Sequence, residues 1–209
     1  MKKLIPLLLA VLLLTGCMGG SKLSLRIEHD PVADVYGFAD IEVTANQDAK
    51  FQFVANGGEI IHQHKNRAIW NAPREPGVYT IDVIATSGNE TVRSSIDIKV
   101  VEFPVDVMAM TLENDGIGGK DARLRVLNLT NEKVTAFRVK ILMMNNFGER
   151  IHYLGDYQFR GQSSDANLLP HDPKWYAWSL YFATGVSDIV AYVYEAALED
   201  GTVLRLYEQ

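Results

Sequence analysis

The sequence predicts an all-β protein, with two tandem β-sandwich domains behind a short leader segment. Three observations predict this fold class. Apolar and polar residues alternate with period two through most of the chain, as in strands that have one buried face. Turn-forming residues recur at intervals of about 8–12 residues. No segment after the leader shows the apolar period of a helix.

Composition is that of a globular protein. The chain has 209 residues, of which 47% are hydrophobic and 22% charged, and this length is enough for two small domains. The net charge is −6, and no run of Lys or Arg follows the extreme N-terminus. We therefore expect no nucleic-acid partner and no charge-driven membrane binding. A single cysteine excludes an intramolecular disulfide.

The N-terminus predicts export. Two lysines precede an apolar run at positions 4–14, which is too short for the roughly 20 residues of a membrane-spanning helix. Residues 1–16 are therefore a predicted signal peptide. The segment Leu14-Thr15-Gly16-Cys17 resembles the lipobox of bacterial lipoproteins. The resemblance implies cleavage after Gly16 and lipid on the Cys17 sulfur; the alternative is an ordinary signal peptide with an incidental cysteine.

The predicted location is extracytoplasmic. Acyl chains on Cys17 would anchor the protein firmly to a bacterial membrane, at about 0.8 kcal/mol per buried CH₂. The anchored protein would lie on the outer leaflet of the cell membrane. In a double-membrane bacterium it would lie in the outer membrane, since Met18 is not the Asp of an inner-membrane retention signal. Residues 17–21 are the lipidated cysteine and a flexible tether.

Residues 22–101 are predicted to form the first β-sandwich. Turn residues separate short segments in which apolar and polar positions alternate. The clearest segments carry their apolar face at Ile41, Val43 and Ala45; Phe51 and Phe53; Tyr79, Ile81, Val83 and Ala85; and Val92, Ser94, Ile96, Ile98 and Val100. The opposite face, which includes Asp40 and Glu42, is expected to face water.

One motif in this domain supports its fold. Trp70-Asn71-Ala72-Pro73, followed by Pro76-Gly77-Val78-Tyr79-Thr80-Ile81, resembles the W-x-A-P…P-G-x-Y-x-[IV] pattern of bacterial immunoglobulin-like and PKD-like domains. The resemblance covers about residues 40–101. It implies an immunoglobulin-like sandwich with Trp70 in the core and a Pro-Gly turn into a strand that carries a core Tyr79. It implies no particular activity.

Residues 102–209 are predicted to form the second β-sandwich. Glu102-Phe103-Pro104 is a short junction in which Pro104 stops the preceding strand, and so short a link implies a nearly fixed angle between the domains. Residues 145–148 and 200–201 are predicted turns. The predicted strands are 123–129, 134–144, 150–154, 175–182, 189–198 and 202–206, of which 189–198 is apolar on both faces and therefore central.

A second resemblance concerns this domain. The segments NLTN at 128–131, VTAFRV at 134–139 and NNFG at 145–148, with a later Leu169-Pro170 and Trp178, are similar to the FxLYD-type family of small exported bacterial β-domains. That family has no assigned chemistry. This chain has Ile-Leu-Met-Met-Asn at 141–145 in place of the Phe-x-Leu-Tyr-Asp motif that names the family.

Three residues are candidate ligand contacts. Strand alternation over 175–182 places Trp178 in the core and both Trp175 and Tyr181 on the opposite face. Exposed rings there could stack on sugars. Arg160, in a long predicted loop at 155–172, is the third candidate. The alternatives are that both strand faces are packed and that the loop is a mobile connector.

The sequence predicts no enzyme, cofactor or metal. His62 and His64 lie on one strand face and could chelate a transition metal, but no third ligand lies nearby in sequence, and the alternative is two solvent-facing residues. G-x-S-x-G and H-E-x-x-H motifs are absent. We therefore expect a non-enzymatic lipoprotein that acts as an interaction or assembly module on a protein or cell-wall partner. The alternative is a lipoprotein that binds glycans or small ligands through aromatic residues of the second domain.

Overall fold

A computed structural model describes residues 22–116, 118–181 and 183–208 of the chain. These ranges contain fifteen strands and one short 3₁₀ helix, so the all-β prediction is confirmed. Within the same ranges, no helix has the length and apolar character needed to cross a membrane. The predicted signal peptide, the tether and Cys17 lie outside the described residues.

The strands fall into two sets along the chain. The N-terminal half (residues 22–101) contains β1 Leu25–His29, β2 Val32–Asp34, β3 Phe38–Ala45, β4 Lys50–Ala55, β5 Glu59–His64, β6 Arg67–Asn71, β7 Gly77–Ser87 and β8 Glu90–Val101. The C-terminal half (residues 102–208) contains β9 Val105–Asn114, β10 Lys120–Asn128, β11 Val134–Met144, β12 Gln158–Ser163, β13 Lys174–Leu180, β14 Asp188–Leu198, β15 Val203–Arg205 and the 3₁₀ helix Leu206–Glu208.

Each half forms two sheets, which we number in the order in which they stack. Sheet I has the strand order β2-β8-β7-β4, and sheet II has β1-β3-β6-β5. Sheet III has β12-β11-β14-β15, and sheet IV has β13-β10-β9. The pairing is antiparallel except between β2 and β8. Every strand ladder in the described chain joins strands of the same half.

Three apolar layers connect the four sheets. Sheets I and II enclose a core that includes Ile41, Trp70 and Ile81. Sheets III and IV enclose a larger one, with Leu124 and Phe137 at its centre. A smaller layer lies between sheets II and III and consists of Ile69, Leu142, Met144 and Val190, with Phe38 and Ile61 beside them. The described chain is therefore a stack in the order I, II, III, IV.

The middle layer corrects one expectation about sheet II. The alternation in β3 is as predicted, with Ile41 and Val43 fully buried on one face. However, the face that carries Asp40 and Glu42 does not simply lie in water, because sheet III packs against it. The nearly continuous apolar end of β11 has the same cause: alternate residues of that strand are buried on opposite faces, against sheet IV and against sheet II.

The junction between the halves is short and buried. β8 ends at Val101 and β9 begins at Val105. Phe103 is 2% exposed and packs in the larger core. Its backbone N–H donates to the buried carboxylate of Asp34 at 2.8 Å. Burial raises the pKa of Asp34 to about 7, and the negative charge of Asp106 adds to that effect.

Most other predicted elements are present, with three corrections in the C-terminal half. The predicted strand at 150–154 makes only isolated bridges at Arg150 and Tyr153. The predicted loop at 155–172 contains β12 instead. No strand was predicted at β9, because its alternation is interrupted by a bulge opposite Arg125 and Val126. β14 is central and buried on both faces, as predicted.

Candidate functional site

The boundary between sheets II and III, which we call the seam, carries paired charges around its apolar layer. The Lys140 ammonium lies 2.8 Å from the Asp30 carboxylate, and Arg150 Nη1 lies 2.6 Å from Asp40. Each pair joins the two halves. The side chain of Arg150 is only 4% exposed, and its second terminal nitrogen donates to the backbone oxygen of Tyr157. These contacts fix the face of β11 and the following turn against β3.

Two tyrosines extend the Asp30 contact to the end of the chain. The Tyr192 hydroxyl donates to Oδ2 of Asp30 at 3.1 Å, and the Tyr207 hydroxyl lies 2.7 Å from that of Tyr192. Burial raises the pKa of Tyr192 well above its ordinary value, and the Asp30 carboxylate raises it further. Burial and Asp30 raise the pKa of Tyr207 in the same way. Both phenols therefore remain protonated donors, and the ring of Tyr207 is held in place.

The two candidate metal-binding histidines also lie at the seam. His62 Nε2 is 3.4 Å from Asp188, and His64 Nε2 is 3.0 Å from Glu149, so each histidine faces a carboxylate of the other half. The described residues contain no group of three His, Cys, Asp or Glu side chains arranged to hold a metal ion. The geometry thus gives both histidines a role as contacts between the halves.

A first cleft opens beside these histidines. Its volume is about 290 Å³, and its walls come from β5 and β6 on one side and the turn after β11 on the other. Two of its cationic side chains, Arg67 and Arg150, have carboxylate partners. Arg67 pairs with Glu42 at 2.6 Å, and its guanidinium lies 3.6 Å from the centre of the Tyr157 ring.

A second, larger opening lies where sheet II leaves part of sheet III uncovered. We call it the seam groove. Its volume is about 510 Å³, which is within the range of small-molecule sites. It is lined by Asp30, Pro31, Lys140, Gln158, Arg160, Tyr194, Glu195, Arg205 and Tyr207. The rings of Tyr194 and Tyr207 lie 6.5 Å apart, tilted by 36°.

The seam groove concentrates positive charge from strands that are distant in sequence. Glu195 is shared between Arg138 at 3.0 Å and Arg205 at 3.1 Å. Arg160 pairs in register with Lys140 in the neighbouring strand, so both side chains lie on the same face of sheet III. The sequence has no run of Lys or Arg after its N-terminus, and these cations come together because β11, β12 and β15 lie in one sheet.

The outer face of sheet IV is the other notable surface. Trp175 is 45% exposed there, and Arg123 lies 5.7 Å from the centre of its ring. Met108, 52% exposed, is the extra residue of the β9 bulge. Arg125 in β10 is exposed; it is paired with Trp175 in β13 on one side and with Ala109 in β9 on the other. This outer face combines Trp, Met and Arg side chains on one open sheet surface.

The structure separates the three predicted contact residues. Tyr176 and Trp178 pack towards sheet III, so Trp175, which precedes Tyr176 in the strand, faces away from it. Tyr181 follows the end of the same strand and is 56% exposed. Arg160 lies in β12 and faces the seam groove. Trp175 and Arg160 therefore lie on opposite sides of the sheet III–sheet IV sandwich and cannot contact one small ligand together.

Comparisons with known proteins give little beyond this geometry. No protein-family model matches the chain, and no curated protein matches it. Among solved structures, the chain is similar to the apo structure of Bacteroides uniformis beta-glucuronidase 3, with 12% identity and a TM-score of 0.31. The match covers 89% of this chain and 25% of that one, so the chain spans about a quarter of that protein's length.

Proposed function

We propose that this chain is a non-enzymatic, lipid-anchored interaction module of a bacterial cell envelope. Lipid on Cys17 would hold it at the membrane, and residues 17–21 would keep the first strands close to the lipid surface. The partner would be a protein or a cell-wall polymer. The lipobox-like segment Leu14–Cys17 supports the location.

The outer face of sheet IV is the observation that carries the interaction role. Tryptophan, methionine and arginine are enriched where proteins contact other proteins, and this face presents Trp175, Met108, Arg123 and Arg125 together. Sheet IV is also the end of the stack, on the side away from the N-terminal half. A partner docked there would therefore not need to displace any packed element of the described chain.

Photo-crosslinking in native membranes tests the interaction role. A photoreactive residue at Ala177, which is exposed on the same face as Trp175, should crosslink one defined partner. The same residue at exposed Lys50, in sheet I, should not. The Ala177 adduct should disappear in a Trp175→Ala background. Equal adducts at both positions, or adducts that persist without Trp175, would contradict the proposal.

Mass spectrometry tests the anchor. The mature N-terminal peptide should begin at Cys17 and carry the added mass of a diacylglycerol, while Cys17→Ser should release the protein from the membrane. An unmodified peptide, or a retained leader, would end the lipoprotein part of the proposal. The interaction role can be judged separately from the crosslinking result.

A second candidate function is glycan capture on the same face. Trp175 is 45% exposed and Tyr181 56%, and flat aromatic rings can pack against the apolar face of a sugar. Trp70 is fully buried and Trp178 is packed in the core, so Trp175 is the tryptophan positioned to report binding. Neutral cell-wall polysaccharide should shift the tryptophan fluorescence, and Trp175→Ala should abolish the shift. Absence of a shift would remove this candidate.

A further inference from the structure

The seam groove contains a cation that the protein does not use internally. The guanidinium of Arg160 has no hydrogen-bond or ion-pair partner among the described residues, although its side chain lines the groove. Lys140, by contrast, is paired with Asp30, and Arg205 with Glu195. An arginine fork that projects into a concave site without a partner is suited to a planar anion, above all a carboxylate.

The charge around Arg160 favours an anion as well. The groove is lined by three cations, Lys140, Arg160 and Arg205, and by two carboxylates, Asp30 and Glu195, so its lining is positive by one charge. The whole chain carries a net charge of −6. The lining of the groove is therefore positive on a protein of negative net charge, and its concave shape strengthens the attraction of anions.

The aromatic side of the groove indicates what the anion belongs to. The Tyr207 ring is held by its hydroxyl contact with buried Tyr192, and Tyr194 lies beside it at a centroid distance of 6.5 Å. Tyr207 is 40% exposed, so part of its ring faces solvent. A fixed, half-exposed ring next to hydrogen-bonding groups such as Gln158 suits a sugar, whose C–H face packs on the ring while its hydroxyls bond to the polar groups.

We infer that the seam groove is a binding site for a carboxylate-bearing oligosaccharide, with the carboxylate on Arg160 and a sugar ring against Tyr207. This site is separate from the Trp175 face on which the proposed function depends. Asp30 supports both the charged and the aromatic side of the groove, because it holds Lys140 and Tyr207 in position. The complete groove therefore requires both halves of the chain.

Isothermal titration of the detergent-solubilised full-length protein tests the inference. An oligogalacturonate of four units is the probe, and its methyl ester is the matched neutral control. The acid should bind, the ester should bind at least about tenfold more weakly, and added salt should weaken only the acid. Arg160→Gln should reduce affinity for the acid about tenfold. Arg74→Gln, which removes another exposed arginine, between β6 and β7, should leave it unchanged.

Four results would overturn the inference. These are no binding of the acid at millimolar concentration, equal binding of acid and ester, equal losses in the two arginine variants, and equally tight binding of inorganic phosphate or of an RNA oligonucleotide. The last result would show that the groove recognises charge without the sugar. Because Arg160 is exposed and in an edge strand, Arg160→Gln should fold, and unchanged thermal melting verifies that the loss is one of binding.

Discussion

The Nζ atom of Lys140 lies 2.8 Å from Oδ2 of Asp30, across 110 positions of sequence and across the seam. Only 11% of the lysine side chain and 15% of the aspartate side chain are exposed. Few charged pairs are so well shielded from water, and the energy of such a pair depends on both members being present. The pair also organises Tyr192 and Tyr207, so it connects the packing of the halves to the seam groove.

We predict that Lys140→Met destabilises the protein by about 3 kcal/mol, since it leaves the Asp30 carboxylate shielded without its cation. Urea unfolding measures this loss. The double variant Lys140→Met with Asp30→Asn should recover a large part of it, because no unpaired charge remains. Arg26→Met is the control: it breaks the exposed Arg26–Glu28 pair and should cost less than about 1 kcal/mol. Equal losses in the two single variants would show that the seam pair has no special role.

The apolar centre of the seam leads to a second prediction. Leu142 is fully buried between sheets II and III, where it packs with Ile69 and Met144. Leu142→Ala should therefore cost about 3 kcal/mol through lost burial and the cavity that remains. Calorimetry should show a lower melting temperature for both halves together. Leu154→Ala, at a position that is 82% exposed, should change stability by less than about 0.5 kcal/mol. A negligible effect of Leu142→Ala would mean that the halves do not pack in solution as described.

Much of the fold follows from local alternation in the sequence. Each strand with a clean period of two, such as β3 or β7, has the predicted face buried. The failures have physical causes. β12 has the sequence Gln-Phe-Arg-Gly-Gln-Ser, and it pairs with β11 although few of its side chains contribute to a core. Its place is set by tertiary contacts, which a single-sequence pattern does not contain.

The candidate site was less predictable than the fold. Strand alternation places Trp175 on the face opposite to Tyr176 and Trp178, and its side chain is 45% exposed there. The seam groove was missed because its charges come from different strands. The available signal was in β11, where Arg138 and Lys140 alternate with core residues on a strand that is otherwise apolar. Charged residues kept on a central strand indicate that something opposite pairs with them, but not what it is.

Gly161 leads to a third prediction, which tests the placement of β12. A Cβ atom at this position would lie 2.7 Å from Nε1 of Trp178 and 2.9 Å from Cγ2 of Val139. The indole thus occupies the space that a side chain would need. Gly161→Ala should therefore destabilise the protein by about 1–3 kcal/mol, despite the higher strand propensity of alanine. Gln162→Ala, at the next and exposed position, should be close to neutral in the same thermal melts. A stabilised Gly161→Ala variant would place β12 elsewhere.

The buried carboxyl of Asp34 predicts how stability depends on pH. Its pKa is about 7 in the folded protein, against 3.8 for the free side chain, because of burial at the junction. Between these two values the folded state keeps a proton that the unfolded state releases, so stability must fall as pH rises through this window.

Asp34→Asn has no such proton, and its amide oxygen can still accept from the Phe103 N–H. The variant and the natural protein should be similarly stable near pH 4, whereas at pH 8 the variant should be more stable, by at most about 4 kcal/mol. Urea unfolding at both pH values measures this difference, in which the titration of groups that do not interact with Asp34 cancels. A difference that stays constant between pH 4 and 8 would show that Asp34 is ionised in the folded protein throughout.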